Sequence, residues 1–365
     1  MLKVKPVFIL SPVPVTSPVP RANFRPVAQE AESLACRVEH QRALPLGEHR
    51  IELAEKSDRG KLASNLCSEM RRLVASCRSV ESTYRSMTHF ADQIQSCTAG
   101  ILKHEQIAHG TMRLRVSLPA SMCQAAPGQF FMLRDLHSTD PLIGRALALY
   151  DCSTAEGWIE VVYVVKGKFT TSICRLRPGQ SIGIWGPLGN SFDDSPTRHL
   201  IMVAGGIGQT PFLSLAKEAT GKQRFGNRRF GYASQLTFCY GARSEIYLAD
   251  VAAFERAGAE VRIATEDGSV GPPQRVTQLL QQVMEEQRLP TDTRIVCCGP
   301  EPMMKAVSQI AKDNAIGCQV SLETPMACGI GICFTCVARV GTCDQWDYQR
   351  TCVEGPIFDA ESIVW

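Results

Sequence analysis

Residues 199–219 read HLIMVAGGIGQTPFLSLAKEA, and this stretch decides the fold. His199 to Ala204 is an apolar run that enters a glycine loop, GGIGQTP, and leaves it as a helical stretch, PFLSLAKEA. Thr210 is suited to cap that helix and Pro211 to fill its first position, because proline lacks only an N–H that would be unpaired there anyway. The unit is strand, turn, helix. Gly205, Gly206 and Gly208 would let the chain come close to a pyrophosphate at the helix N-terminus, where free N–H groups and the helix dipole favour anions. A tight turn with no ligand is the plainer alternative.

Downstream, LTFCYGAR (236–243), VRIATEDG (261–268) and RIVCCGP (294–300) each read as a strand, and MMKAVSQIAKD (303–313) as a helix. Strands alternating with helices imply crossover connections and a parallel sheet over residues 198–316. No acidic residue stands at the usual Rossmann distance; Glu266 and Asp267 come later and are either ribose ligands or a solvated turn. Cys297 and Cys298 close an apolar strand, where a small buried hydrophobe is the default reading. Cys298, in CGP, is also placed to line a nicotinamide site.

Upstream, residues 90–195 change to period two. Met112, Leu114, Val116 and Leu118 alternate with polar neighbours, and GQFFMLR, RALALYD, WIEVVYVV and QSIGIWG follow between prolines and glycines. Such runs predict a small antiparallel β-barrel. Arg145 heads RALALYD as either an edge-strand charge or a phosphate clamp. In KGKFTTSICRL, Lys168, Thr170 and Thr171 precede a helical turn, again a place for phosphate oxygens.

The segment from residue 317 to 365 is Gly- and Cys-rich and reads as a small module built around a metal. Cys328, Cys333 and Cys336 in MACGIGICFTCVARV, with Cys352 in RTCVEGP, form CxxxxCxxC plus a distant fourth cysteine. This is the plant-type spacing for a 2Fe-2S cluster. Gly329 and Gly331 would let the backbone wrap closely and direct N–H groups at the sulfurs. Structural zinc also accepts four thiolates but usually takes two knuckles of similar short spacing. Cys343 breaks the pattern and is expected to be a spectator.

The remaining sequence sets bounds. In 365 residues with 44% hydrophobic content there is room for two or three cored domains. A net charge of +3 gives no ground for a nucleic-acid or membrane partner, and no apolar run reaches membrane-spanning length. Sixteen cysteines without a clear secretory signal point to a reducing cytoplasm and to metal ligation rather than disulfides. Residues 1–86, Pro- and Val-rich and then polar, with patchy helical periodicity at 64–80, predict a disordered extension. Met87 is an alternative start for the ordered chain. The expected fold class is multidomain β and α/β.

Residues from about 90 to 365 resemble the electron-transfer subunit of the two-protein, NAD-linked dihydroorotate dehydrogenase, within the ferredoxin reductase superfamily. The matching motifs, in family order, are GRALALYD, GPLGNSF, AGGIGQTP, CYGAR, ATEDGS, CGPEPMM, ETPMACGIGICFTC and TCVEGP. The resemblance implies an FAD-binding barrel, a nicotinamide-binding domain and a C-terminal 2Fe-2S module. It also implies a heterotetramer with an FMN-containing catalytic subunit, whose electrons pass through the cluster and FAD to NAD. By position it gives Arg145 to the FAD pyrophosphate, the strand of Ala146, Leu147 and Ala148 through Tyr150 to the isoalloxazine, and Thr170 and Thr171 to FAD phosphates. Gly205 to Thr210, Gln209 included, fall to the dinucleotide.

Two departures stand out. The family's RPxS appears as Arg145, Ala146, Leu147, Ala148, without the serine hydroxyl that can bond flavin N5. The family's GxGT appears as Gly167, Lys168, Phe169, Thr170, with a ring in place of a glycine. A related reductase subunit serving ferredoxin or a hydrogenase shares fold and cofactors, and a zinc scaffold is the non-enzymatic rival. The sequence leaves NAD against NADP open.

Overall fold

The computed structural model describes residues 94–365 apart from 288 and 290. The readings made for residues 1–86, including the helical patch at 64–80, lie outside the described residues.

Six antiparallel strands close a barrel in the order β1-β2-β5-β4-β3-β6. They are β1 (Gln95–Ala108), β2 (Thr111–Ser117), β3 (Phe130–Arg134), β4 (Arg145–Ser153), β5 (Trp158–Val164) and β6 (Ser181–Leu188). Alternation builds the interior: Leu114, Val116, Phe131, Leu133, Ile159, Val161, Ile182 and Ile184 share one buried core. The short helix α1 (Lys168–Ile173) sends Phe169 into that same core. The ring that replaces a family glycine is therefore a packing residue.

The second unit is a six-stranded sheet in the order β14-β11-β10-β7-β8-β9. β7 (Thr197–Gly205), β8 (Ala233–Ala242), β9 (Glu260–Thr265), β10 (Thr293–Cys298) and β11 (Gly317–Ser321) run parallel, and β14 (Ile357–Asp359) is antiparallel to β11. Both faces are covered, which is why β7 reads as a continuous apolar run. Leu200, Met202 and Ala204 pack with helix α2 (Phe212–Ala219) and with Phe254 of helix α3 (Val251–Arg256). Ile201 and Val203 pack with helices α4 (Val276–Glu286) and α5 (Glu301–Asp313) on the other face.

Two details differ from the sequence reading. The glycine loop does not pass directly into a helix capped by Thr210. Gly206–Gln209 form a 3-10 turn, Thr210 follows it in helical geometry, and Pro211 takes the N-cap position of α2 with no side-chain cap. The tighter turn carries the chain out of the sheet before the α-helix starts. In addition, β11 and β14 extend the parallel sheet past residue 316, so the cysteine-rich chain loops out between two strands of that sheet.

Candidate functional site

The four cysteines of the plant-type pattern are brought together by a hairpin. β12 (Val337–Gly341) pairs antiparallel with β13 (Trp346–Arg350), Val337 facing Arg350. Cys336 and Cys352 thus flank the hairpin base, where the Thr351 N–H donates to the Cys336 carbonyl at 2.7 Å. Their thiols lie near enough to influence each other, as do those of Cys333 and Cys328. Burial pushes the Cys352 thiol up to about 12, with the Cys336 contact adding to the shift. The exposed Cys333 thiol is pulled down to about 6 by the hydroxyl and N–H of Thr335. The hairpin turn holds Cys343 four strand steps from the base, about 14 Å away.

Glycine geometry and one arginine shape the loop. Gly329 and Gly331 have φ of +72° and +82°. A Cβ on Gly329 would sit 2.6 Å from Met132 Cγ, and one on Gly331 2.7 Å from Val353 Cγ2. The Ile330 N–H donates to Cys328 Sγ at 3.4 Å, and the Gly331 N–H points at the Cys352 thiol. Arg350 donates to the Gly331 carbonyl at 3.0 Å, pairs with Glu354, and lies 5.3 Å from the centre of the Phe334 ring. Among the described residues no three His, Cys, Asp or Glu side chains gather round one point as a single metal ion requires. Two thiol pairs suit a two-iron cluster, with two thiolates per iron, better than one tetrahedral zinc.

The loop packs on the barrel. Cys336 and Cys352 share a buried cluster with Phe130 and Met132 of β3 and Leu188 of β6, and Ala146 of β4 packs against it. The Trp185 indole N–H donates to the Cys328 carbonyl at 3.0 Å. Asn190 donates to the carbonyls of Glu354 and Ile357 at 2.9 and 2.8 Å and accepts from the Ile357 N–H at 2.9 Å.

Alternate residues of β4 then fall into an order. Leu147 and Leu149 point into the barrel, so Ala146, Ala148 and Tyr150 share the outer face. Ala146 meets the cysteine module, Tyr150 packs in the core of the parallel-sheet unit, and half-buried Ala148 lies between them. Tyr150 also donates to Asp250 at 2.6 Å. Helix α2 is bonded along the same strand: Lys217 pairs with Asp151 at 2.5 Å, and Ser214 donates to the Leu149 carbonyl at 3.5 Å.

At the start of β4, exposed Arg145 donates to the carbonyls of Ile143 and Gly144, both at 3.1 Å. The register Leu149↔Val161 brings it to the end of β5, where Gly167 opens α1. Lys168 binds Asp140, in the loop leading to Arg145, at 2.8 Å. Thr170 is occupied by its own turn, accepting from the N–H groups of Lys166 and Gly167 at 2.9 and 3.1 Å. Thr171 is exposed in the first turn.

A cleft of about 920 Å³ opens at the carboxyl ends of the parallel strands. There the connections diverge, β7 to β8 on one side and β10 to β11 on the other, the usual crevice for a ligand in such sheets. Gly205, Gly206 and Gly208 line it. A Cβ on Gly208 would meet the Cys298 carbonyl at 2.2 Å, and one on Gly205 the Met303 sulfur at 2.6 Å, while Gly206 adopts φ +56°. Two of these glycines therefore serve close packing and one serves conformation. Gln209 is fully buried, and neither end of its amide has a partner among the described residues. Cys298 is not one of the lining residues; its thiol, pushed up to about 12 by burial, contacts Ser321.

Of the two acids left open by the sequence, Asp267 is spent on the turn, accepting from the N–H and hydroxyl of Ser269 at 2.9 and 2.6 Å. Glu266 lines the cleft. Sequence reasoning missed four charged lining residues, Lys166, Arg243, Arg275 and Glu323. Lys166 opens the run KGKFTTSICRL and Arg243 ends the motif CYGAR, so both could have been found there; the other two had no local signal. No helix among the described residues is long and apolar enough to cross a membrane.

Comparison with known proteins matches three successive stretches of the chain. Residues 98–192 match an oxidoreductase FAD-binding domain, residues 202–309 an oxidoreductase NAD-binding domain, and residues 323–364 the iron-sulfur cluster binding domain of dihydroorotate dehydrogenase B. The chain is 31% identical over 268 residues to the "Dihydroorotate dehydrogenase B (NAD(+)), electron transfer subunit" of Desulforamulus reducens, covering 73% of this chain and 97% of that one. It is 34% identical over 267 residues to the protein of the same name from Geobacillus thermodenitrificans, covering 72% and 96%. A solved structure described as an NADH-dependent reduced ferredoxin-NADP oxidoreductase superposes with a TM-score of 0.63 at 26% identity, covering 73% of this chain and 90% of that one. With FAD-binding, NAD-binding and iron-sulfur domains in family order, the chain belongs to the family of dihydroorotate dehydrogenase B electron transfer subunits.

Proposed function

We propose that this chain carries electrons from the FMN of a dihydroorotate-oxidising partner, through a 2Fe-2S cluster and FAD, to NAD in pyrimidine biosynthesis. The observation that carries the reading is the outer face of β4, where Ala146 meets the cysteine module, Tyr150 meets the parallel-sheet unit, and Ala148 lies between. Each step along that face is two residues, about 7 Å. FAD supplies the exchange between one-electron transfer with the cluster and two-electron hydride transfer with NAD.

The chain's own residues bind and orient. Cys328, Cys333, Cys336 and Cys352 hold the iron, with N–H groups of Ile330 and Gly331 supporting negative charge on the sulfurs. Arg145 and Thr171 serve the FAD phosphates; Lys168 and Thr170 shape the loop that presents them. The small side chains of Ala146 and Ala148 leave room for a flat ring on the outer strand face, and neither offers a hydroxyl to it. Gly205, Gly206, Gly208 and Thr210 belong to the dinucleotide turn. Gln209 and Cys298 back that turn from behind.

Residues 90–195 would thus carry FAD, residues 198–316 NAD, and the chain from 317 to 365 the cluster. The partner's surface is the exposed cysteine loop, where Ile332 and Phe334 are 66% and 63% exposed on either side of Cys333. Large apolar side chains left in solvent beside a redox group suit a docking face. The assembly is a cytoplasmic heterotetramer. A subunit that serves ferredoxin instead is the second reading, supported by the likeness to the NADH-dependent oxidoreductase structure. Mixing the purified chain with an FMN-containing dihydroorotate dehydrogenase subunit and following dihydroorotate-dependent NAD reduction tests the proposal. Activity only in the mixture supports it, and electron delivery only to ferredoxin favours the second reading.

A further inference from the structure

The dinucleotide cleft has an acidic residue toward each edge of the sheet. Glu266 follows β9, the strand at one edge, and Glu323 follows β11, which lies next to the other edge. In the order β11-β10-β7-β8-β9 they are four strand spacings apart, about 19 Å. That is the scale of an extended dinucleotide, with the glycine turn of β7 midway. Both side chains are exposed, and neither has a hydrogen bond or ion pair among the described residues. Their surroundings differ. Arg243 and Arg275, also lining the cleft, belong to the β8 and α4 side with Glu266. Glu323 stands with Gly299 and Pro300, close enough to Cys298 for its charge to bear on that thiol.

The two ends are not equivalent with respect to the flavin strand. The chain leaving β11 runs through Glu323 directly into the cysteine loop, which packs on Ala146 of β4. It then returns to the β11 edge as β14. The β11 end is therefore joined to the Ala146 end of the outer face of β4, Tyr150 at the other end of that face reaches Asp250 beyond β8, and the β9 end lies one strand farther out. Hydride transfer requires the nicotinamide, not the adenosine, to reach the flavin.

Resting on the reading that the cleft takes NAD, we propose that Glu323 is a positioning residue for the nicotinamide ring, and that Glu266 serves the adenosine ribose at the other end. The nicotinamide ring of NAD+ carries a positive charge that is lost when the ring accepts hydride. A carboxylate beside it favours NAD+ over NADH. The adenosine half is identical in the two forms, so a residue there cannot tell them apart. Glu323 and Glu266 thus make opposite predictions for the same measurement.

The test is equilibrium binding of NAD+ and of NADH, by calorimetry, to the full FAD- and iron-loaded chain and its variants. Glu323→Gln should weaken NAD+ about tenfold, the size of one charge pair a few ångströms apart at a partly hydrated surface, and NADH by no more than about twofold. Glu323→Asp should keep the wild-type ratio of the two affinities. Glu266→Gln should weaken both nucleotides equally. An unchanged ratio in Glu323→Gln, or a shifted ratio in Glu266→Gln, overturns the assignment. If the wild-type chain binds neither nucleotide, the NAD reading itself fails and this inference with it.

Discussion

The indole N–H of Trp185, on barrel strand β6, donates to the backbone carbonyl of Cys328, the first cysteine of the plant-type pattern, at 3.0 Å. A residue of the flavin barrel and the cluster loop are thereby fixed to each other although 143 positions separate them. Together with the Asn190 clamp and the packing of Ala146, this bond makes the cysteine module part of the barrel's surface. Its position relative to β4 is set by direct bonds, which is what short-range electron exchange requires.

The proposed assignment of four cysteines as iron ligands, with Cys343 a spectator, can be tested one residue at a time. Cys→Ser changes at 328, 333, 336 and 352 should each abolish or severely weaken the visible bands of the cluster and lower the iron content. Cys343→Ser, at the far turn of the hairpin, should keep both. Bands lost in Cys343→Ser and kept in Cys352→Ser would reverse the assignment.

Asn190→Ala removes the three side-chain bonds to residues 354–357 and keeps the bond from the Asn190 backbone N–H to the Gly355 carbonyl at 2.7 Å. At about 1 kcal/mol for each partly buried bond, the loss of stability should be about 3 kcal/mol. Urea unfolding followed at the cluster absorbance should show an earlier midpoint for the variant. An unshifted midpoint would mean that the clamp is dispensable.

Gln209 is the opposite case, a buried amide with both ends unpaired among the described residues. Methionine has similar volume and needs no partner, so Gln209→Met should stabilise the NAD-free protein by about 1–3 kcal/mol. Differential scanning calorimetry without nucleotide measures this. A lower melting temperature would show that the amide has a partner in solution.

Two imidazoles make stability depend on acid. Burial lowers the pKa of His104 and of His199 below the ordinary histidine value. The folded state therefore keeps them neutral while the unfolded chain takes up protons. Their contribution is fully present above the unfolded histidine value, about 6.5, and is lost as pH falls below it toward the lowered folded values. The thermal midpoint should drop between pH 7 and pH 5, and the drop should be smaller in His199→Leu. A midpoint that is flat or rises over that range would contradict the sign.

Much of this was legible in the sequence because it is local and periodic. The unit from His199 to Ala219, the alternating barrel strands and the cysteine spacing each announce themselves within a short window. What escaped depends on distant chain. Asn190 lies in the quoted motif GPLGNSF, yet its partners are 164 and 167 residues away. Glu323 is one acid in a loop, and its place at the cleft follows only from β11 lying beside β10. The cap expected of Thr210 yielded to a 3-10 turn, a case of tertiary packing overriding a local preference. Phe169 stood out only as a ring in place of a glycine, because the sequence does not say which side of α1 faces the barrel.

The central proposal is that this chain connects nicotinamide, flavin and cluster while a partner subunit supplies the dihydroorotate site. The measurement that tests it most directly is anaerobic absorbance of the purified chain, mixed first with dihydroorotate and then with NADH. Dihydroorotate should leave the spectrum unchanged, and NADH should bleach the flavin band and then the iron-sulfur bands. Bleaching by dihydroorotate alone, or NADH that leaves both chromophores oxidised, would contradict the account.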